Sequence, residues 1–463
     1  MAHDYQPHVP VVVLHERGTT QAPPGPVSES DTRIEPGRMR RVASASFVGS
    51  LVEFYDFNIY GFAAALVFGN LFFPALGPAA GTVAAFATLG VAFVARPVGS
   101  ILFGHFGDRL GRKRTLVTTL LMMGVSTSLV GLMPTAGQIG VVAPILLVLL
   151  RVLQGLAAGG EWAGAALFVV ENAPKQKRGF WAMFASLGGG AALTLAPVTF
   201  LLTGFGMTDE HFLSYGWRIP FLASSVLIVI GLYIRLRMEE SPVFKTEQAQ
   251  HGASRVPFFE AFKRQPREIL LAGGAMIIPP SFGYLGASYL TNYGATVLGL
   301  SRTQVLTMSS IGGAMLTLGI GLAGAYSDRI GRRKVIIAAA LVAVPWALIL
   351  FPLIAIGSTM AFAAGMCVTM FISGCSLGPM SAFMSELFHT RYRYTAAGFS
   401  YNIAQIIGGA ATPLLAAWMT ARFGGFTFGI FLAFLALISL LCILRIAETK
   451  EYELDRTPLS SGE

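Results

Sequence analysis

The sequence predicts an all-α membrane protein, with twelve transmembrane helices in two pseudo-symmetric six-helix bundles. Three observations carry this expectation. Hydrophobic residues make up 54% of the 463 positions and charged residues 12%, with a mean hydropathy of +0.63; a water-soluble domain carries about 25% charge. Twelve apolar runs are each long enough to cross a hydrocarbon core of about 30 Å. A charged loop motif in the first half returns in the second, which points to an internal duplication.

The elements follow in chain order. Residues 1–41 contain six prolines and no apolar run longer than Val11–Leu14, so they read as a disordered cytoplasmic tail and not as a signal peptide. Spans are expected near 43–69, 82–106, 115–133, 141–169, 180–203, 217–236, 268–292, 303–326, 335–355, 358–385, 396–419 and 425–445. They form a first bundle over 42–236 and a second over 268–446, joined by a polar cytoplasmic linker at 237–267 and followed by a cytoplasmic tail at 447–463. With the N-terminus inside, 28 Lys and Arg fall on one side of the membrane and 3, Arg218, Arg302 and Arg422, on the other. Positive residues mark the cytoplasmic face, so both termini are expected there, in a multi-pass protein of the cell membrane. The same distribution accounts for the net charge of +9 without a nucleic-acid partner. Cys367, Cys375 and Cys442 sit singly in apolar stretches and offer neither a disulfide framework nor a metal site.

The repeat is specific. Gly104-His105-Phe106-Gly107-Asp108-Arg109-Leu110-Gly111-Arg112-Lys113 returns as Gly324-Ala325-Tyr326-Ser327-Asp328-Arg329-Ile330-Gly331-Arg332-Arg333, offset by 220. Glu171 followed by Arg178 returns as Glu386 followed by Arg393, offset by 215. Two homologous six-span halves imply a site at their interface and access that alternates by rocking. At these residues the chain resembles the major facilitator superfamily. It is similar, more narrowly, to the metabolite:proton symporter family. That likeness rests on Glu53-Phe54-Tyr55-Asp56-Phe57-Asn58-Ile59-Tyr60-Gly61, on Arg151-Val152-Leu153-Gln154-Gly155 running to Gly159-Gly160-Glu161-Trp162, on Trp217-Arg218-Ile219-Pro220-Phe221 and on Glu240-Ser241-Pro242-Val243-Phe244. The resemblance implies proton symport of small carboxylates or zwitterions, such as 2-oxoglutarate, citrate, shikimate, proline or betaine. It also implies that the motif arginines pair with acids across the cytoplasmic mouth as a gate: Asp108, Arg109, Arg112, Glu171, Arg178, Glu240, Asp328, Arg329, Arg332, Glu386 and Arg393. Asp108 and Asp328 are expected just before helices, where a carboxylate accepts backbone N–H groups and favours the helix dipole.

Five ionisable residues lie well inside the spans: Glu53 and Asp56 in the first, Arg96 in the second, Arg151 and Glu161 in the fourth. Each costs roughly 2.5–3.5 kcal/mol at a helix centre, so they must pair or line a wet cavity. Glu53, Asp56 and Tyr60 share a helical face, as do Arg151, Gln154, Ala158 and Glu161, spaced i, i+3, i+7, i+10. Buried ion pairs stabilise poorly compared with apolar isosteres, so the cluster reads as a coupled site. Arg96 or Arg151 would bind a substrate carboxylate, and Asp56 or Glu53 would carry the proton, with Glu161 next in line. An arginine beside an acid disfavours its protonation; an anionic substrate that claims the arginine reverses this, and the two load together. The second half has no ionisable residue within its spans, and Tyr284, Asn402 and Gln405 are the expected specificity groups.

Gly155, Gly159, Gly160 and Gly164 allow a neighbouring helix to approach span 4 closely. Asp209-Glu210-His211 reads as a solvated outer loop. His-Glu-x-x-His and Gly-x4-Gly-Lys-Ser/Thr are absent, which argues against an enzyme and against ATP-driven transport. No cofactor is expected, the proton gradient being the energy source, and the chain is expected to be a monomer in the lipid bilayer. The other readings are a sugar or drug carrier working as uniporter or antiporter, and a non-transporting membrane sensor.

Overall fold

The computed structural model describes residues 36–110, 112–159, 161–237, 262–389, 392–452 and 454, with backbone alone at 36–38, 104–110, 112–114, 116, 162–163, 234–235 and 237. Most of the expected tail and linker, Glu240, and the side chains of Asp108, Arg109 and Arg112 therefore lie outside the described residues. Among the described residues, ten helices are long and apolar enough to cross a membrane: span 1 (Met39–Phe72), span 2 (Pro74–Phe103), span 5 (Lys175–Gly204), span 6 (Gly216–Tyr233), span 7 (Pro266–Thr296), span 8 (Arg302–Ile330), span 9 (Arg332–Ile354), span 10 (Thr359–Leu387), span 11 (Arg393–Phe423) and span 12 (Gly425–Leu444). Two shorter apolar helices, Val117–Leu132 and Val142–Ala158, supply spans 3 and 4.

The duplication is visible in the packing. Span 1 packs on span 5, span 2 on span 4 and span 3 on span 6; six spans later, 7 packs on 11, 8 on 10 and 9 on 12. The bundles meet along two seams related by the same count, span 5 on span 8 and span 2 on span 11. Apolar side chains such as Val125, Val229, Leu341 and Phe434 face outward, as a lipid-facing surface requires. Spans 1 and 7 are the most enclosed: 83% of their apolar windows is buried, against 39–50% in the other eight long spans. Polar residues on those two helices thus sit at the centre of the molecule.

Local breaks shape that centre. The helical ladder widens into π-helical segments at Ala64–Phe68, Leu285–Leu290 and Gln405–Ala411, in spans 1, 7 and 11. Such segments concentrate at functional sites. Span 4 is not the continuous helix expected over 141–169: it stops at Ala158 and restarts as Glu161–Asn172. The glycines at the break do what the small-residue spacing suggests. A Cβ on Gly155 would meet the backbone of Ala92, and one on Gly159 that of Arg96. Spans 2 and 4 are in backbone contact there, and this contact brings Arg96 and Arg151 into one pocket.

Candidate functional site: a buried arginine pocket beside an interbundle cavity

Arg96 and Arg151 are both fully buried (0% exposed). The expectation that they pair with the buried acids is not met. Among the described residues neither forms an ion pair within 4.0 Å. Aromatic rings solvate them instead. The Arg96 guanidinium lies 4.1 Å from the Phe57 ring centre and 4.9 Å from that of Phe93. Arg151 lies 3.8 Å from the Tyr60 ring and 4.9 Å from the same Phe57 ring. Desolvated cation–π contacts are worth about 2 kcal/mol or more each, and they leave the in-plane N–H donors unspent. Nε, Nη1 and Nη2 of Arg96 find no hydrogen-bond partner among the described residues. Arg151 keeps one side-chain bond, from Nη1 to Gln154 Oε1 at 2.8 Å. Tyr60 holds its place through a 2.6 Å hydrogen bond with Thr88.

The acids are separated by helix position. Asp56 is buried and its Oδ2 accepts from Thr127 Oγ1 at 3.0 Å. Thr127, on span 3, also accepts from Gln154 Nε2 at 2.7 Å. Asp56 and Arg151 are therefore linked through two neutral side chains and not by direct contact. Glu53 is buried one turn earlier, and its charge, like that of Arg96, reaches Tyr284 and Tyr401 on the other bundle. Glu161 opens the second segment of span 4, where a carboxylate favours the helix dipole, and accepts from Thr119 Oγ1 at 2.9 Å. Thr127, Thr119, Phe57 and Phe93 were not singled out from sequence. The Ser126-Thr127-Ser128 run in span 3 was the available signal for Thr127.

Between the two bundles lies a cavity of about 60 Å³, lined by Phe54 and Asn58 of span 1, Ser186 of span 5, Pro279, Pro280 and Tyr284 of span 7, Ser373 of span 10, and Tyr401 and Gln405 of span 11. Tyr284 and Gln405, two of the three expected specificity groups, line this cavity. Asn402 does not: it is used structurally, donating from Nδ2 to the carbonyl of Gly159 at the break in span 4, at 3.3 Å. The five buried charges expected at the site are not among the residues that line this cavity. The two spaces abut at Tyr284, whose ring packs edge-on against Phe93, 5.0 Å between centres.

Contacts between the bundles close both ends. At the end carrying the basic loops, Asp328 accepts from the backbone N–H groups of Gly179 and Phe180, both at 2.8 Å. Asp328 lies in the last turn of span 8, not before a helix as expected. It caps the first turn of span 5 in the other bundle, so the anticipated chemistry acts on a different helix. Arg332, fully buried, pairs with Asp328 at 2.9 Å and Glu386 at 3.2 Å. Arg393 lies 3.8 Å from Glu171. Arg329 is exposed, and no ion pair joins it to this network among the described residues. The segment after span 12 joins instead. Glu448 Oε1 accepts from the backbone of Arg332 at 2.8 Å, Thr449 donates to Glu386 at 2.8 Å, and Arg178 and Arg393 donate to the carbonyls of Tyr452 and Leu454 at 2.9 and 2.7 Å. At the opposite end Asn292 Nδ2 donates to Ala65 O at 2.7 Å. Arg302 pairs with Asp209 at 3.0 Å and donates to the carbonyls of Gly204 and Met207. The Asp209 side chain is 86% exposed, as expected of a solvated outer loop, and meets Arg302 at the start of span 8.

This architecture matches proteins already known. The inner membrane metabolite transport protein YhjE of Escherichia coli (strain K12) is 40% identical over 419 residues, covering 89% of this chain and 95% of that protein. The shikimate transporter of the same organism is 42% identical over 396 residues, covering 84% and 89%. The proline/betaine transporter of Salmonella typhimurium is 35% identical over 405 residues, covering 85% and 80%. Among solved structures, the proton:xylose symporter XylE superposes with a TM-score of 0.73 over 90% of this chain and 98% of that one, at 17% identity, which speaks for the fold alone. The sequence profile of the Major Facilitator Superfamily matches residues 46–412, and the chain belongs to that superfamily.

Proposed function

We propose that this chain is a secondary active transporter that carries a small carboxylate or zwitterionic metabolite together with protons by alternating access. The observation that carries the reading is Arg96: a fully buried guanidinium at the bundle interface with no hydrogen-bond partner among the described residues. Aromatic rings of Phe57 and Phe93 lie against the guanidinium, and its N–H edges are unspent. A carboxylate matches that edge in geometry and charge. Glu53 is a buried acid on span 1, three residues before Asp56, and offers a counter-charge for a cationic group on the substrate. The relatives named above carry such molecules by name. In this reading Arg96 anchors the substrate, Tyr284 and Gln405 sense its body, and Asp56, tied to Arg151 through Gln154 and Thr127, takes the proton. No cofactor takes part.

The positive loops then face the cytoplasm, with both termini. The Asp328–Arg332–Glu386 and Glu171–Arg393 contacts form the inner gate, and the Arg302–Asp209 and Asn292–Ala65 contacts the outer one. One pH unit supplies about 1.4 kcal/mol per proton and 100 mV about 2.3 kcal/mol, enough together for roughly 500-fold accumulation in a one-proton electrogenic cycle. The test is uptake into proteoliposomes under an imposed pH gradient, with shikimate, 2-oxoglutarate, citrate, proline and betaine as cargo. Accumulation of at least one of them, abolished by collapsing the gradient, is expected; equal uptake with and without the gradient overturns the coupling.

A further inference from the structure

Thr127 bonds both Asp56 and, through Gln154, the arginine side of the pocket. Its hydroxyl lies 3.0 Å from Asp56 Oδ2 and 3.0 Å from the carbonyl of Met123, one turn earlier in its own helix, while Gln154 Nε2 donates to it at 2.7 Å. A hydroxyl has one proton and two lone pairs, so the two acceptors compete for that proton. When Asp56 is ionised, the Thr127 proton points at its carboxylate. When Asp56 is protonated, the acid O–H donates to Thr127 Oγ1 and the hydroxyl proton turns to the Met123 carbonyl. The Gln154 bond persists in both states, so each state is fully hydrogen-bonded around the hydroxyl, and switching costs one rotation about a C–O bond.

We propose that Thr127 is a positioning residue for proton coupling, a hydroxyl rotor that keeps Asp56 hydrogen-bonded in both protonation states and ties that state through Gln154 to the hold on Arg151. The inference rests on the proton-coupled reading above. Its direction follows from the chain of donors. Donation by Gln154 polarises the hydroxyl and strengthens its bond to the carboxylate. Gln154 is itself held by Arg151 Nη1. Cargo that draws Arg151 away releases Gln154, weakens that bond, and lets Asp56 take up a proton. The charged groups facing Asp56 are Arg151 and Glu161; Ser224 on span 6 is the other nearby hydroxyl and Tyr55 the neighbouring phenol on span 1. Ser224 donates to its own helix at Phe221, 2.8 Å away, and has no link to the arginine.

The test is an infrared difference titration of the full chain in lipid, reading the protonated-carboxyl band that Asp56→Asn removes. Thr127→Val keeps the shape of the side chain and loses the hydroxyl. It is expected to displace the midpoint of that band toward higher pH by about one unit, because the carboxylate loses a donor. Thr127→Ser restores the wild-type midpoint. Gln154→Met leaves the hydroxyl and removes its support, and is expected to give a smaller displacement in the same direction; it serves if Thr127→Val does not fold. A wild-type midpoint in both Thr127→Val and Gln154→Met overturns the rotor. Absence of any Asp56-dependent band in the wild-type protein overturns the assignment of Asp56 as proton carrier, a separate outcome.

Discussion

The two bundles use the same backbone for different ends. In the first, Gly155 and Gly159 press span 4 against the backbone of span 2 at Ala92 and Arg96; in the second, Gly374 and Gly378 press span 10 against span 8 at Leu316 and Ile320. Counted from the loop motif, Arg96 stands twelve residues before Asp108 and Leu316 twelve before Asp328. Counted from the glycine contacts, the counterpart of Arg96 is Ile320. Either way an apolar side chain replaces the guanidinium. The close approach of two helices is therefore a device of the fold, while the charge placed on it belongs to the first half alone. The second half contributes two neutral tyrosines, a serine and an amide to the cavity wall. One half supplies the charge that is to be neutralised, and the other the shape that selects what neutralises it.

That division is broken most directly by making the first half resemble the second. Arg96→Leu is expected to lower carboxylate uptake more than 100-fold while membrane insertion persists, since losing a bidentate charged contact leaves nothing to offset cargo desolvation; uptake within threefold of wild type would remove Arg96 from the site. The next largest effect lies in the second half. Arg332→Ala strands Glu386 in a buried position, and removing one partner of a buried pair costs about 3–5 kcal/mol. The thermal midpoint of the purified protein in detergent should fall by several degrees, and Arg302→Ala at the other end, whose partner Asp209 is exposed, should shift it far less. Equal shifts would show that the two ends are held alike. Gly159→Leu drives a side chain into the backbone of span 2 and should lose uptake through displaced arginines, with Gly378→Leu acting on spans 8 and 10 instead; an active Gly159→Leu protein would deny that the contact sets the pocket. Asn402→Ala sharpens the comparison at the smallest scale. It removes one amide–carbonyl bond worth about 1 kcal/mol, so a slightly lower midpoint with unchanged cargo preference is expected, whereas Gln405→Ala should change the preference itself.

Much of this was legible in the chain. The apolar runs, the 28-to-3 distribution of positive residues and the repeated loop motif specify the twelve helices and their pairing, because in a membrane length and polarity leave few alternatives. The sequence also named Arg96, Arg151, Asp56, Tyr284 and Gln405. It could not say how the charges are satisfied. Ion pairing was the natural expectation, and aromatic rings took its place because Phe57, Phe93 and Tyr60 reach the guanidinium faces before any carboxylate does. Composition records only that such rings exist. Asp328 was identified as a capping acid, but the helix it caps lies in the other bundle, 148 residues away in sequence. Thr127 and Glu448 were invisible for the same reason: their partners are set by how helices distant along the chain cross. Periodicity and hydropathy act within one segment and are fixed by the local sequence, whereas a hydrogen bond between segments is fixed by packing geometry, which only the assembled bundles decide.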